Sequence, residues 1–418
     1  MNFAHLKSHD VLLESSTTAA TFLLGYGERD HSGHRPLLGV SRFGGAFGYN
    51  PFELYAAQLV SGPNAFVFGK IGKGKSSLVK SYLARMYAHG YPSVIIDPKG
   101  EYHALSRYFG FEPVSFVTEN SGVNPFVSPG SGDQALAREL NRELAELAVA
   151  FACKRPLSGM ENTALAEALA RCGEDLSFAR IRSELISLDR NGGPGEWLGG
   201  YVQGDLADVV AGCGSLLDSG LVSRSSGGSI ASVLYQGILV VDLSLVFGTA
   251  LYSLAVTLVL SAIRAVQLRS GACPVVVAID EVWALTQDRE ALRWLQRYWK
   301  LSRSLGIANL AVTHRLGDLN AFQPTSDDPA SMGLIADSET FVAFAMDAAE
   351  AARFCSQFGL APEVGEAISK LGRGSALWKF GSALCLVDHH LTSAELAICD
   401  TDAAMRVQRP SFLAASPE

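Results

Sequence analysis

Several features are scarce in this sequence, and each absence argues against a class of protein. The 418 residues include seven cysteines, but no two of them form a Cys-x-x-Cys pair, which argues against a zinc site or a disulfide framework. Charged residues make up 18% of the chain and the formal net charge is −8, so the surface as a whole is not suited to coating nucleic acid. The first ten residues lack the charged-then-apolar layout of a signal peptide. We therefore expect a cytoplasmic protein with reduced thiols.

Uncharged segments long enough to cross a bilayer are also scarce, and the candidate runs from Leu243 to Ile263. It contains Gly248 and several small or hydroxylated residues, and it follows a segment that is typical of a strand ending in Asp242. A helix buried against a sheet has the same apolar composition as a membrane span. We interpret this segment as a buried helix.

The strongest motif follows a short apolar segment, Ala65 to Phe68, which predicts a buried strand. The motif is Gly69-x-x-x-x-Gly74-Lys75-Ser76 and it leads into a helical pattern, which is the context of a P-loop. Its glycines let main-chain N–H groups and the positive end of the next helix hold the triphosphate of ATP. Lys75 is predicted to reach the β and γ phosphates and Ser76 to bind Mg²⁺; a glycine-rich turn that only caps a helix is the alternative. The predicted nucleotide-binding residues are Gly69, Lys70, Ile71, Gly72, Lys73, Gly74, Lys75, Ser76 and Ser77.

Two later strand-like segments end in polar residues that belong beside a nucleotide. One ends in Asp280 and Glu281, the Walker B form, in which Asp280 is predicted to hold Mg²⁺ through water and Glu281 to polarise the attacking water. The other ends in Thr313 and His314, which we expect close to the γ-phosphate. An ordinary loop histidine is the alternative for His314. A P-loop together with these two acids favours ATP hydrolysis over ATP binding alone.

The pattern of periodicities predicts an α/β fold with a mostly parallel sheet and an all-helical insertion. Within the first segment, Thr21 to Gly25 and Pro36 to Val40 are predicted strands, whereas Gly44 to Pro51 is a predicted glycine-rich loop. The predicted segments are 1–60, lead-in strands and a short helix; 61–131, the first part of the ATPase core; 132–224, the helical insertion; 225–400, the second part of the core; and 401–418, a flexible tail.

An amphipathic helix is predicted from Glu290 to Leu305, with a basic stripe along one side. Arg293, Arg297 and Lys300 form this stripe at helical spacing. Two interpretations stay open, because charge runs are commonly solvated faces. The stripe is either such a face or a contact with a neighbouring subunit or with nucleic-acid phosphates.

Taken together, the motifs resemble the HerA/FtsK superfamily of P-loop ATPases, whose sheet is RecA/FtsK-like. Within that superfamily they look most like the ATPases of conjugative type IV secretion systems, the TraC/TrbE-like group. The resemblance covers about residues 60 to 390, and the helical insertion lies where that family carries one. The segments that carry it are Pro63-Asn64, the P-loop, Ile96-Asp-Pro-Lys-Gly-Glu-Tyr102, Asn124-Pro-Phe126, Val241-Asp-Leu-Ser244, Ala278-Ile-Asp-Glu281 and Thr313-His314.

The resemblance implies a ring-forming, typically hexameric, Mg²⁺-dependent ATPase at the cytoplasmic face of the membrane. It implies a membrane secretion or conjugation complex as partner, and an arginine from a neighbouring subunit that completes each site. Arg303 and Arg373 are the candidates for that arginine, and surface arginines without such a role are the alternative. The sequence departs from the family in two ways: His314 stands where the family usually has Gln, and the large N-terminal domain of many relatives is absent.

Two other functions stay open at this point. One is a HerA- or FtsK-like translocase on double-stranded DNA, which requires a basic pore lining and turnover that DNA stimulates. The other is a nucleotide-gated assembly module that hydrolyses ATP negligibly. The sequence does not decide whether protein or DNA, double-stranded or single-stranded, is moved, nor the size of the ring.

Overall fold

A single large sheet organises the part of the chain that the computed structural model describes, residues 35–115, 124–126, 134–173, 175–191, 203–223, 237–268, 273–319 and 330–399. The sheet has 11 strands in the order β2-β1-β11-β10-β9-β3-β8-β7-β4-β6-β5. The strands are β1 (Leu37–Ser41), β2 (Ala46–Gly48), β3 (Ala65–Phe68), β4 (Ser93–Asp97), β5 (Val114–Ser115), β6 (Ile238–Asp242), β7 (Val275–Ile279), β8 (Ile307–Val312), β9 (Thr340–Phe344), β10 (Ser375–Phe380) and β11 (Ala383–His389).

Seven neighbouring strands of the sheet, β9-β3-β8-β7-β4-β6-β5, are parallel. The other four, β10, β11, β1 and β2, are antiparallel to their neighbours. The predicted mostly parallel α/β sheet is therefore confirmed. Because parallel strands end at one edge, the residues after β3, β4, β7 and β8 come together there, where α/β sheets bind ligands. Strand β8 lies between β3 and β7, so the strand that ends in Thr313 and His314, and not the Walker B strand, is the direct neighbour of the P-loop strand.

Helices cover both faces of the sheet, and the alternation of side chains along the strands builds two hydrophobic cores. Phe66 and Phe68 of β3 point into one core, and Ala65 and Val67 point into the other. The helices are α1 (Pro51–Ala56), α2 (Lys75–Ala88), α3 (His103–Tyr108), α4 (Gln134–Cys153), α5 (Gly159–Cys172), α6 (Phe178–Arg190), α7 (Ala207–Asp218), α8 (Leu251–Gln267), α9 (Arg289–Leu301), α10 (Ala330–Ala336), α11 (Ala348–Phe358), α12 (Pro362–Ser369) and α13 (Ser393–Cys399).

The long uncharged segment forms α8, which is buried against the first core along most of its length. The helix begins at Leu251 and not at Leu243, because the chain first makes a turn in which Gly248 has a left-handed backbone with φ of +78°. The interpretation as a buried helix is thus confirmed. Among the described helices, none combines the length and the hydropathy that a membrane span requires.

Between β5 and β6 the described residues form four helices, α4 to α7, that pack on one another and extend the first core. Helix α7 was missed by the sequence patterns, since Gly212 and Gly214 interrupt its apolar periodicity. Gly212 is needed for packing: a Cβ there would lie 2.9 Å from the Cys153 sulfur of α4. The predicted borders of the insertion, at 132 and 224, lie outside the described residues, and the division into segments stays a prediction.

The remaining differences from the sequence patterns are at the antiparallel edge of the sheet. The glycine-rich segment predicted as a loop contains the short strand β2, which pairs with β1 across a register shift. Strands β10 and β11 form a hairpin that joins β9 to β1 within the sheet, and α13 follows it. The predicted strand at residues 21–25 and the tail at 401–418 lie outside the described residues.

The partly buried ring of His389, at the end of β11, makes stability depend on pH. Its Nε2 accepts a hydrogen bond from Trp378 Nε1 at 2.9 Å and its Nδ1 lies 2.9 Å from the Gly374 oxygen. Burial lowers the pKa of His389 to about 4, although the Gly374 oxygen and Asp388 oppose the shift. As the pH falls, His389 therefore takes up a proton near pH 6.5 in the unfolded chain but only near pH 4 in the folded chain.

We expect the free energy of unfolding to keep its highest value above about pH 6.5 and to decrease by about 2 kcal/mol as the pH drops to about 4.5. His389→Gln keeps a donor and an acceptor at this place but cannot titrate, so it should lose that part of the pH dependence. His390→Gln, at the exposed neighbour, is the control and should behave like the wild type. Denaturant titrations at pH 7.5 and pH 4.5 measure the effect, and equal pH dependence in all three proteins would contradict it.

Candidate active site

The P-loop connects β3 to α2 with a backbone that only glycine adopts easily. Gly69 has a φ of +145°, and a Cβ there would lie 2.6 Å from the Phe344 Cβ. Gly74 has a φ of +111° and is the residue before α2, where no side chain caps the first turn. The N–H groups of that turn are therefore free to bind an anion at the positive end of the helix.

Main-chain hydrogen bonds from three other segments hold this loop in shape. The Gly69 N–H donates to the His314 oxygen at 3.3 Å, and the Lys70 N–H donates to the Ala345 oxygen at 3.0 Å. The Gly374 N–H donates to the Lys73 oxygen at 3.0 Å. The loop is thus shaped by β8, β9 and the start of β10 before any nucleotide enters.

Lys75, the first residue of α2, is 6% exposed and lies in the centre of this loop. Its ammonium donates to the oxygens of Gly69 and of Lys70, the latter at 3.2 Å, and lies 3.0 Å from His314 Nδ1. Burial lowers the pKa of Lys75 to about 8, and the nearby carboxylates of Asp280 and Glu281 limit that shift. The lysine is charged at neutral pH and already points into the phosphate cradle.

Asp280 follows β7 and is almost completely buried at the same edge of the sheet. One carboxylate oxygen accepts the Glu281 N–H at 2.9 Å, and the other accepts the Tyr102 hydroxyl at 3.1 Å. Burial, together with the charge of Glu281, raises the pKa of Asp280 to about 6. Because a carboxylate has about four acceptor sites, each oxygen of Asp280 can still accept one more donor or a metal-bound water.

Glu281 is 3% exposed and has a left-handed backbone, with φ of 50° and ψ of 43°, which is uncommon for a residue other than glycine. Its Oε1 accepts from the Lys99 ammonium and lies 2.9 Å from His314 Nε2, and its Oε2 accepts from Trp283 Nε1. Burial raises the pKa of Glu281, but the hydrogen bonds from His314 and Lys99 outweigh it and lower the pKa to about 2. Glu281 is therefore ionised and firmly held.

His314 connects the P-loop lysine to the Walker B glutamate. A charged lysine can only donate, so His314 Nδ1 accepts from Lys75, and Nε2 carries the proton and donates to Glu281. His314 thus lies between Lys75 and Glu281, and its position close to the γ-phosphate stays a prediction. Thr313 is buried beneath it, where its hydroxyl donates to the Arg315 oxygen at 3.5 Å and its N–H donates to the Val67 oxygen.

The residues of the site fit ATP with Mg²⁺, the cofactors predicted from the sequence. The glycine positions leave room for phosphate beside the main chain, since a Cβ at Gly72 would meet nothing within 4 Å. Ser76 lies half-buried in the first turn of α2, and Asp280 keeps free acceptor sites. A hydroxyl and a carboxylate are the oxygen ligands that Mg²⁺ prefers.

The two candidate arginines lie at different places. Arg303 lies before β8, at the amino edge of the parallel strands and opposite the P-loop, where its guanidinium donates to the Ser61 oxygen at 3.4 Å. Arg373 is exposed and precedes Gly374, whose N–H donates to Lys73 of the same chain's P-loop. Neither arginine's predicted role is decided by its position in a single chain.

The basic stripe of α9 is exposed, as both interpretations of it require. Its last member, Lys300, lies 3.9 Å from a carboxylate oxygen of Asp337. Lys300 and Arg303 also border a cavity of about 250 Å³ at the amino edge of the sheet, together with Asp337 and Glu339. The opposite side of the helix packs into the first core through Trp294 and Tyr298, whose rings stack at 5.5 Å.

Lys99, Tyr102 and Trp283 contact the two acids, but no catalytic role was predicted for them. The first two belong to the segment Ile96 to Tyr102, which was noticed for its resemblance alone. Asp97 fixes this segment, because its carboxylate accepts the N–H groups of Lys99 at 3.1 Å, of Glu101 at 3.1 Å and of Tyr102 at 2.9 Å. The aspartate therefore has a structural role, since it positions Lys99 and Tyr102 against Glu281 and Asp280.

The other resembling segments are also structural. Asn64 accepts hydrogen bonds from Ser302 and Asn309 and donates to the Trp299 oxygen at 3.1 Å, so it joins the starts of β3 and β8. Asn124 donates to the Leu176 oxygen at 2.9 Å, which ties its segment to the helical region. Both asparagines are buried polar groups with their hydrogen bonds satisfied.

Comparison with known proteins agrees with this geometry. Residues 51–142 match the family model described as helicase HerA, central domain. No curated protein matches the sequence. Among solved structures, VirB4 of Thermoanaerobacter pseudethanolicus superposes with a TM-score of 0.66 at 19% identity, covering 88% of this chain and 99% of that one.

The plasmid coupling protein TrwB is similar too. Its complex with the non-hydrolysable ATP analogue ADPNP gives a TM-score of 0.54 at 16% identity, over 81% of this chain and 87% of that one. Its complex with ADP and Mg²⁺ gives 0.52 at 16% identity, over 79% and 86%. Identities this low show a shared fold. The chain therefore shares the P-loop NTPase fold of VirB4 and TrwB, and residues 51–142 are similar to the HerA central domain, which confirms the resemblance to the HerA/FtsK superfamily that its motifs indicate.

Proposed function

We propose that this chain is a Mg²⁺-dependent ATPase motor that works as a ring and energises conjugative DNA transfer or type IV secretion. The observation that carries the proposal is the contact of His314 with both Lys75 and Glu281. This contact brings a phosphate-binding lysine and an ionised glutamate to one place, which hydrolysis requires and nucleotide storage does not. The fold shared with VirB4 and with TrwB, which is described as a conjugative coupling protein, supports the biological setting.

Each residue has a distinct task in hydrolysis. Lys75 exchanges the oxygens of Gly69 and Lys70 for the β and γ phosphates, and the main-chain N–H groups of the loop hold the remaining charge. Ser76 and Asp280 would hold Mg²⁺, which would neutralise charge on the phosphates when bound. Glu281 orients the attacking water and accepts its proton. His314 holds Lys75 and Glu281 close to each other through its two ring nitrogens.

The placement of Arg303 supports the proposed ring assembly. This residue cannot reach its own P-loop, since it lies at the opposite edge of the sheet. A neighbouring subunit whose amino edge faces this P-loop would supply Arg303 to the γ-phosphate, where an arginine stabilises the charge that develops. Arg373, beside its own P-loop, is the second candidate. We place the ring in the cytoplasm, at the inner face of the membrane, with a secretion or conjugation complex as its partner.

Rate against protein concentration tests the ring. We expect ATP turnover per chain to rise with concentration before it levels off, because each site needs its neighbour. A 1:1 mixture of Lys75→Met and Arg303→Ala chains should recover part of the activity that each variant lacks, since mixed rings contain some complete sites. A turnover per chain that does not change with concentration, with no recovery in the mixture, would contradict shared sites. Recovery with Arg373→Ala in place of Arg303→Ala would identify Arg373 as the arginine supplied by the neighbour.

A second candidate function is translocation of double-stranded DNA. The HerA match and the exposed basic stripe of α9 favour it. The same assay, repeated with duplex and with single-stranded DNA, separates the two functions. Stimulation by duplex DNA, reduced by Arg297→Ala, supports the DNA translocase, whereas indifference to both nucleic acids favours a motor that moves protein.

A further inference from the structure

The carboxylate of Glu281 has little capacity left for a water molecule in this state. Its Oε1 is in contact with two donors, the Lys99 ammonium and His314 Nε2, and its Oε2 accepts from Trp283 Nε1. These contacts use about three of the four acceptor sites of a carboxylate. A glutamate that is to bind and deprotonate water must give up at least one of them.

Lys99 is the donor that is free to leave. The three N–H groups bound by Asp97 fix the backbone around it, but 38% of its side chain is exposed, against 4% for Glu281. A lysine on a fixed backbone still has a flexible four-carbon stem. Its ammonium can therefore move without any change in the loop.

Charge supplies the reason for the movement. Without nucleotide, the ammonium groups of Lys75 and Lys99 are near the carboxylates of Asp280, Glu281 and Glu101, which attract them. The terminal phosphate of ATP brings further negative charge to the cradle beside Lys75. Since an ammonium binds phosphate oxygens as readily as it binds a carboxylate, a second lysine this close is attracted to them.

Trp283 has room to respond when the glutamate is released. Its indole lies edge-on to Phe247, with the ring centroids 6.3 Å apart, and it borders a cavity of about 540 Å³ that Tyr252 and Phe151 also line. The indole N–H holds Glu281 from one side while the ring faces this open space. A change at Glu281 therefore reaches a fluorescent side chain directly.

We propose that Lys99 and Trp283 clamp Glu281 while the site holds no nucleotide, and that Lys99 moves to the terminal phosphate of ATP, which frees the glutamate for water. The inference rests on the proposed function and assigns Lys99 and Trp283 as positioning residues of that site. It makes the glutamate available only when a third phosphate is present, so ADP leaves the clamp closed.

Separate measurements of ATP and ADP affinity test the clamp. Lys99→Met is expected to raise the KM for ATP about tenfold, with a much smaller loss in kcat, and to leave ADP affinity near the wild-type value. Lys99→Arg, which keeps the charge, should recover part of the ATP affinity. Lys370→Met removes an exposed lysine that pairs with Glu366 and has no assigned role in the site, so it is the control. Equal weakening of ATP and ADP, or of neither, would overturn the proposal.

Trp283 fluorescence, taken as the difference between each protein and its Trp283→Phe counterpart, tests the clamp without turnover. A non-hydrolysable ATP analogue with Mg²⁺ should change the Trp283 emission, ADP should not, and Lys99→Met should no longer distinguish them. An equal response to ADP and the analogue, or a wild-type response in Lys99→Met, overturns the clamp. If the wild type hydrolyses nothing but the two nucleotides differ in this assay, the proposed function fails and the clamp stands.

Discussion

Glu281→Gln is expected to lower kcat for ATP hydrolysis by roughly 10³-fold while ATP still binds. The amide has the shape of the carboxylate and can still contact Lys99, His314 or Trp283, but it cannot accept the proton of the attacking water. The variant should therefore trap ATP with Mg²⁺. Phosphate release and retained nucleotide, measured on the same sample, give the two quantities.

Glu101→Gln is the matched control for this change. Glu101 belongs to the same edge of the sheet and is near enough to Lys75 and Asp280 to affect their pKa values, but it contacts Asp97 through its main-chain N–H. The control should keep most of its turnover. Equal rates in Glu281→Gln and the wild type would contradict the motor and support a nucleotide-gated assembly module.

Lys75→Met is expected to weaken ATP binding by roughly 100-fold, the effect of losing a charged hydrogen bond worth about 3 kcal/mol. Methionine fills the space of the lysine stem, and the buried ammonium that it removes costs free energy to desolvate. The nucleotide-free variant should therefore unfold at the same temperature as the wild type or above it. Equilibrium binding of ATP and a thermal unfolding curve check the two parts.

Lys70→Met is the control that tests whether the loss of binding is specific to Lys75 or follows from removing any lysine of the P-loop. Lys70 belongs to the same loop, but about half of its side chain is exposed and its ammonium lies 4.0 Å from Asp347. The P-loop motif uses the main chain at this position and not the side chain, so Lys70→Met should bind ATP nearly as the wild type does. Similar losses in both variants would show that the loop responds to any change of charge, and the central role given to Lys75 would then be wrong.

Local features of the site were predictable from the sequence because short segments determine them. The spacing of Gly69, Gly74 and Lys75 lies within a single strand-loop-helix, and the structure shows the backbone that the motif predicts. The same holds for Asp280 and Glu281, which directly follow a buried strand. The existence of the parallel sheet followed from the apolar strands.

Contacts between distant segments were not predictable. The Lys99–Glu281 contact joins residues 182 positions apart, and no periodicity in either segment refers to the other. The position of β8 between β3 and β7 is likewise a matter of strand order, which depends on packing across the whole sheet. The left-handed backbone of Glu281 had no signal either, because glutamate rarely adopts it.

The proposed ATP hydrolysis depends on a single arrangement, in which the terminal phosphate of ATP lies between Lys75 and Glu281 and Asp280 lies at the metal. A structure of the chain with Mg²⁺ and a non-hydrolysable ATP analogue measures it most directly. We predict the γ-phosphate within hydrogen-bond distance of Lys75, the metal at Ser76 with Asp280 behind a bound water, and Glu281 released from Lys99. A nucleotide bound elsewhere, or a metal with no contact to Ser76 or Asp280, would contradict the account.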